Sequence, residues 1–135
     1  MNENQAVNTV VSQYLDAVVQ NDLSKARAAL SNQLMMVNGN YSSDPKNFQA
    51  HLFLHDDQID EWLSFFLNEA GPHQNQFEIV HTHIRANAAV VVTQETGQNK
   101  FRVWENELVT YLLGLINEEW KIVGLFIRDQ ANPES

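Results

Sequence analysis

The sequence contains no cysteine and few basic residues. Without cysteine there is no disulfide framework, thiolate nucleophile or cysteine metal site, which fits a reducing compartment. Only 8 lysines and arginines stand against 17 acidic residues, which gives a formal charge of −9. Because such a field repels phosphate backbones and anionic lipid, we expect no nucleic-acid partner and no membrane association.

Long hydrophobic runs are also missing. The polar start, MNENQ, is followed by apolar residues at helical spacing rather than by the continuous run of a signal peptide, and no segment reaches the length of a membrane span. We therefore expect a cytoplasmic protein. A chain of 135 residues, 44% hydrophobic and 19% charged, suits one core. We predict a single domain over residues 1–135, with a frayed tail at 130–135.

Helical periodicity dominates the first quarter of the chain. One continuous apolar face is formed by Val7, Val10, Val11, Tyr14, Leu15, Val18 and Val19. Asn21 interrupts this pattern, and Asp22 can cap a second short helix whose apolar positions reach towards Leu34. The pattern predicts a helical hairpin.

Most of the remaining segments have strand character, with one helix among them. Asp56 or Asp57 is the expected N-cap of this third helix, and Gly71 stands at its stop. Strands are predicted at residues 34–37, 77–85, 88–95, 102–116 and 120–128. Another strand is predicted at residues 49–55, although the same residues could begin a helix. The predicted order, α-α-β-β-α-β-β-β-β, indicates an α+β fold in which a strongly curved antiparallel sheet wraps three helices and encloses a pocket.

Two segments resemble a known superfamily. They are VVSQYLDAVVQNDL at residues 10–23 and WKIVGLFI at residues 120–127. With the order of elements, they resemble the nuclear transport factor 2-like superfamily, which includes ketosteroid isomerase, scytalone dehydratase and SnoaL-type cyclases. The resemblance implies a cone-shaped, cystatin-like domain with an internal hydrophobic cavity, and a homodimer formed through the sheet.

The resemblance also assigns roles to positions. In ketosteroid isomerase a tyrosine of the first helix faces the cone, an aspartate near the first strand is the base, and a protonated aspartate on a late strand assists the tyrosine. Tyr14 matches that tyrosine. The base position falls at Asn38, and an amide cannot accept a proton at neutral pH. The third position falls near Leu112, where there is no carboxyl group, so whether the chain is an enzyme stays open.

Candidate catalytic residues come from the polar positions of the strands. Tyr14 is either a phenol that points into a cavity or a core tyrosine. His81 and His83 share one strand face by their spacing, as Glu105 and Glu107 are expected to do. These four could form an acid/base site or simply a polar ladder on the surface. Their spacing is too permissive to predict a metal, and we expect no cofactor.

The candidate ligand-binding residues are mostly aromatic. They are Tyr14, Asn38, Trp62, Phe66 and Trp104, and the alternative for the aromatic ones is plain core packing. The chain has no serine elbow, phosphate-binding glycine loop or dinucleotide motif. Hydrolase, kinase and dehydrogenase functions therefore lack support.

Three functions remain. The first is a protein that binds a small, mostly apolar molecule in the internal cavity. The second is a cyclase, dehydratase or isomerase in which Tyr14 holds an oxyanion and one of the candidate histidines or glutamates is the base. The third is a dimeric interaction scaffold with a filled cavity. It is suggested by an apolar sheet face that must be covered and that we expect to include Val90, Val91, Val92, Val103, Val109 and Leu113.

Overall fold

The computed structural model describes residues 2–40, 49–101 and 103–129, with the backbone alone at 38–40, 49, 128 and 129. The elements are α1 (Glu3–Gln20), α2 (Leu23–Ala29), β1 (Leu30–Asn40), β2 (Gln49–Phe53), α3 (Asp56–Glu69), β3 (Gln74–Arg85), β4 (Ala88–Gln98), β5 (Val103–Ile116) and β6 (Glu119–Asp129). The predicted α+β class and element order are confirmed. The predicted frayed tail at 130–135 lies outside the described residues.

Local side-chain chemistry sets the ends of the helical hairpin. The side chain of Asn2 accepts a hydrogen bond from the backbone N–H of Gln5 and caps α1, which ends where Asn21 adopts a left-handed conformation with φ of 56°. Asp22 caps α2 as predicted. The prediction that this helix reaches Leu34 is wrong, because the chain becomes extended at Leu30 and continues as β1 beside β6.

The third helix begins one residue earlier than predicted. Its N-cap is His55, so Asp56 and Asp57 lie in the first turn rather than capping it. There, acidic side chains still complement the helix dipole. Asp56 instead accepts a hydrogen bond from Arg27 at 2.7 Å, and Asp60 accepts a second one at the same distance. This fork ties α2 to α3.

The six strands of the described ranges form one sheet in the order β2-β1-β6-β5-β4-β3. Four of the five pairings are antiparallel, as expected, but β1 runs parallel to β6. A wholly antiparallel sheet was therefore the wrong expectation. Parallel neighbours need a long connection, and here the chain between β1 and β6 contains α3 and the rest of the sheet.

The core lies between the helices and one face of the sheet, called the inner face here. The buried cluster joins α1 to alternate residues of the central strands, among them Val91, Val109, Tyr111 and Leu113. Val91, Val109 and Leu113 were expected on the uncovered face, and that expectation is wrong. Successive strand residues point to opposite sides, so a run of valines is divided between the two faces.

The other side of the sheet, called the outer face, keeps the alternate apolar residues. Val90, Val92 and Leu112 are half-buried, while Leu108 and Phe126 are exposed. None of the helices in the described ranges is long and apolar enough to cross a membrane.

Candidate functional site

The polar centre of the inner face is a buried glutamate, Glu95, which is only 6% exposed. One of its oxygens, Oε2, accepts hydrogen bonds from the hydroxyl of Tyr111 at 2.7 Å and from Thr93 at 2.5 Å. The other, Oε1, accepts from the amide of Asn75 at 2.9 Å. Asn75 in turn accepts from the indole N–H of Trp104 at 3.2 Å. We call these five residues the polar network.

Strand alternation and one irregularity place this network. Val91, Thr93 and Glu95 occupy alternate positions of β4, so all three face inward. Glu95 lies directly opposite Glu107, but beyond them the register slips and Gly97 lies opposite Trp104. The extra residue in β5 is accommodated as a bulge, where Asn106 has a φ of 51° and its N–H is bonded to the hydroxyl of Thr96.

Because of the bulge, Glu107 faces the core and Glu105 does not. Trp104 and Glu107 are both buried, and Glu105 between them is exposed. The expectation that Glu105 and Glu107 share a face is therefore wrong. In an unbroken strand a spacing of two preserves the face, but a bulged residue reverses it.

Tyr14 approaches the network from α1. It is only 5% exposed, and its ring makes an edge contact with Tyr111 at a centroid distance of 6.4 Å. Within the described ranges, its hydroxyl forms no hydrogen bond with any protein group. Burial, and then the charge of Glu95, raises the pKa of Tyr14 above its ordinary value. The phenol therefore stays protonated and is able to donate.

A continuous series of rings leads to the polar network. Its members touch in sequence, with centroid distances of 5.7 Å, 5.9 Å, 6.0 Å and 5.3 Å. We call these five rings the aromatic row, which consists in order of Phe53, Trp62, Phe66, His73 and Trp104. The exposed His51 stacks on Phe53 at a centroid distance of 6.3 Å. The first four rings are half-buried and Trp104 is buried. The row thus runs from partly accessible rings on β2 and α3 to the buried glutamate.

The predicted site residues divide into two groups. Tyr14 and Glu107 lie in the core, and three of the predicted ligand-binding aromatics, Trp62, Phe66 and Trp104, belong to the aromatic row. The side chain of Asn38 lies outside the described part of the chain.

The predicted histidine pair lies on the other side of the sheet. His81 and His83 are exposed, while Thr82 between them is half-buried and donates a hydrogen bond to Asn8 of α1 at 2.7 Å. The structure therefore does not bring the histidines to Glu107 or Tyr14. Among the described residues, no group of three or more metal-binding side chains could hold a metal ion.

Sequence reasoning missed Glu95, Tyr111, Thr93 and Asn75. Tyr111 is the inward neighbour of Leu112, where the resemblance placed the third polar group. The alternation of side chains along β4 could have indicated Thr93 and Glu95, because both continue the inward series that begins at Val91. Polar residues at inward positions of a strand are candidates for a functional site, because burying a polar group is costly.

No protein-family model and no curated protein matches this chain by sequence. Solved structures do match it in fold. A nuclear transport factor 2-like protein from Cytophaga hutchinsonii has a TM-score of 0.70 at 13% identity, over 95% of this chain and 98% of that one. A candidate dehydratase of that family from Streptomyces avermitilis gives 0.71 at 11%, over 93% and 94%. A cystatin-like domain of unknown function from Nostoc punctiforme gives 0.68 at 13%, over 93% and 76%.

Proposed function

We propose that this chain, which has the nuclear transport factor 2-like fold, binds a small and mostly apolar molecule. The body of the molecule lies along the aromatic row, and its polar end meets Tyr14. One observation carries the proposal: a row of partly accessible rings ends at a buried polar network beside a phenol that has no hydrogen-bond partner among the described residues.

The aromatic row supports the apolar part of this proposal. Trp62 and Phe66 are nearly parallel, with 5° between their ring planes, and both retain accessible surface. A flat ligand that covers such rings removes apolar surface from water, at about 25 cal/mol per Å². Small-molecule sites are commonly lined in this way, with a few polar groups that fix orientation.

Tyr14 supports the polar part. A buried hydroxyl without a partner costs about 1–3 kcal/mol of desolvation. A ligand atom that forms a hydrogen bond with this hydroxyl recovers that cost. A polar group of a ligand would therefore bind favourably beside Tyr14. A contact from Asn38 remains a prediction.

Binding can be tested with naphthylmethanol, a flat neutral probe. We expect the indole N–H signals of Trp62 and Trp104 to shift in NMR titrations, while that of Trp120 on β6 stays in place. Phe66→Leu should weaken binding, because it removes a ring from the middle of the aromatic row. Phe65→Leu is the matched control, since Phe65 on the same helix is 61% exposed and makes no ring contact within the described ranges. Equal loss in both variants, or no shift at all, would contradict the proposal.

A second candidate function is acid/base catalysis. It is favoured by a carboxylate and a phenol that lie close together, because Glu95 accepts a hydrogen bond from Tyr111, whose ring contacts that of Tyr14. A carboxylate can remove a proton and a phenol can hold an oxyanion. The neighbour from Streptomyces avermitilis, named as a candidate dehydratase, is consistent with this function. The test is the exchange of α-protons of tetralone in deuterated buffer. Exchange that Glu95→Gln abolishes would support catalysis, and exchange no faster than in buffer would exclude it for this probe.

The outer face suggests how copies of the chain associate. We propose that a second copy covers Val90, Val92, Leu108, Leu112 and Phe126, which form an apolar area across three adjacent strands. Such a dimer is compatible with binding and with catalysis. If the site proves closed to every probe, dimerisation alone would remain, and the chain would be a scaffold.

A further inference from the structure

We propose that the polar end of the bound molecule is a protonated amine, so that the ligand is an organic cation with a flat apolar body. This inference rests on the proposed function, because it assigns the charge of the ligand at the same site. It depends on the surroundings of Glu95 and on the chemistry of the aromatic row.

Glu95 is a buried carboxylate whose hydrogen-bond partners among the described residues are all neutral. Its three hydrogen-bond donors are the hydroxyls of Tyr111 and Thr93 and the amide of Asn75. No lysine, arginine or histidine in the described ranges forms an ion pair with it. A buried charge is costly unless an opposite charge compensates it, and a ligand ammonium group would supply that charge. Glu107 is not needed for this step, since it has contacts of its own.

The aromatic row favours the same charge. Faces of tryptophan and phenylalanine rings attract cations through their quadrupole, most strongly where water is excluded. A cation that follows the row passes Phe66 and His73 and reaches Trp104, which is bonded to Asn75 and through it to Glu95. The row therefore connects aromatic rings, through Asn75, to a carboxylate, and both are common elements of an ammonium site.

Tyr14 fits an ammonium group as well. A phenol hydroxyl can accept a hydrogen bond in addition to donating one, and an ammonium group carries several N–H donors. The ligand can thus donate to Tyr14 and Glu95 together. A carboxylate or phosphate at the same position would meet the negative charge of Glu95, and a neutral hydroxyl would leave that charge uncompensated.

Three ligands of nearly equal shape test the inference on the full chain: naphthylmethylamine, naphthylmethanol and naphthoate. At neutral pH we expect calorimetry to give an affinity for the amine about tenfold above that for the alcohol, with naphthoate the weakest. Glu95→Gln keeps the shape of the side chain and removes its charge, so it should reduce the preference for the amine to about twofold or less. Glu78→Gln on the exposed side of β3 removes the same charge away from the site and should leave the preference unchanged.

The outcomes show whether the cation inference fails alone or together with the proposed binding function. If the alcohol binds as tightly as the amine and shifts the Trp62 and Trp104 signals, the cation inference is overturned and the binding function stands. If none of the three binds, both are overturned. Tighter binding of naphthoate would reverse the assigned charge. The wild-type comparison decides among these results even if Glu95→Gln does not fold.

Discussion

The stability of the protein should respond differently to the removal of the hydroxyl group from each of the two buried tyrosines of the site. Tyr111 donates to Glu95 at 2.7 Å, whereas the Tyr14 hydroxyl has no partner in the described part of the chain. The rings touch, and both are at least 95% buried. Replacement of either by phenylalanine keeps the ring and its packing. The difference between the variants therefore isolates the two hydroxyl groups.

The magnitudes follow from the hydrogen bonds. Tyr111→Phe removes a donor to a charged acceptor and should lower the free energy of unfolding by about 1.5–3 kcal/mol. Tyr14→Phe removes a buried hydroxyl that gains nothing in the free protein, so the change should lie between zero and a stabilisation of about 1 kcal/mol. With a saturating ligand the advantage of Tyr14→Phe should disappear, because the wild-type hydroxyl then has a partner.

Urea unfolding, followed by circular dichroism with and without naphthylmethylamine, measures these changes. In each variant the urea concentration at the unfolding midpoint should report the change in stability. The dependence of the free energy of unfolding on urea should stay constant, since the packing is retained. If Tyr14→Phe destabilises the free protein as much as Tyr111→Phe does, the Tyr14 hydroxyl is already satisfied within the protein. A ligand would then gain nothing by bonding to this hydroxyl, which would contradict the role proposed for Tyr14.

Three further predictions concern pH, packing and association. Burial raises the pKa of both tyrosines in the folded state above the ordinary value of about 10. The unfolded chain therefore loses these protons at a lower pH than the folded protein does. The free energy of unfolding, measured by urea titration, should fall as the pH rises above about 10. Gly97→Ala should cost about 3 kcal/mol or more and alter the fluorescence of Trp104, because the new Cβ would overlap the backbone oxygen of Gln74 and lie 2.7 Å from the Trp104 ring. Gly114→Ala is its control, with its nearest contact at 3.5 Å. Phe126→Asp should give a monomer in sedimentation experiments, whereas Phe101→Asp, outside the strands, should not; a dimer that persists would contradict the outer-face proposal.

The helices were predictable because their signals are local. Asp22 caps the helix that follows it, and Gly71, with φ of 66°, lies just beyond the end of α3. The end of α2 was not predictable, since Leu30 becomes extended in order to pair with β6, a strand that comes much later in the chain. Pairing between distant strands outweighs local preference there.

The site was only partly predictable for a related reason. Tyr14 and the aromatic residues of α3 were found because helical periodicity identifies the side that faces inward. Glu95 was missed although the alternation of β4 indicated its inward position. Glu105 was wrongly grouped with Glu107 because the bulge in β5 changes the orientation of the residues beyond it. A single extra residue reverses the face of everything beyond it.

Local signals along the chain were sufficient to predict the α+β class, the order of the elements and the inward position of Tyr14, because caps, turns and apolar periodicity act over a few residues. Other features emerged only from the folded chain: β1 runs parallel to β6, the bulge in β5 brings Trp104 and Glu107 inward, and Glu95 is buried among neutral donors. These features depend on the register between strands, which is set by the packing of the whole sheet against the helices.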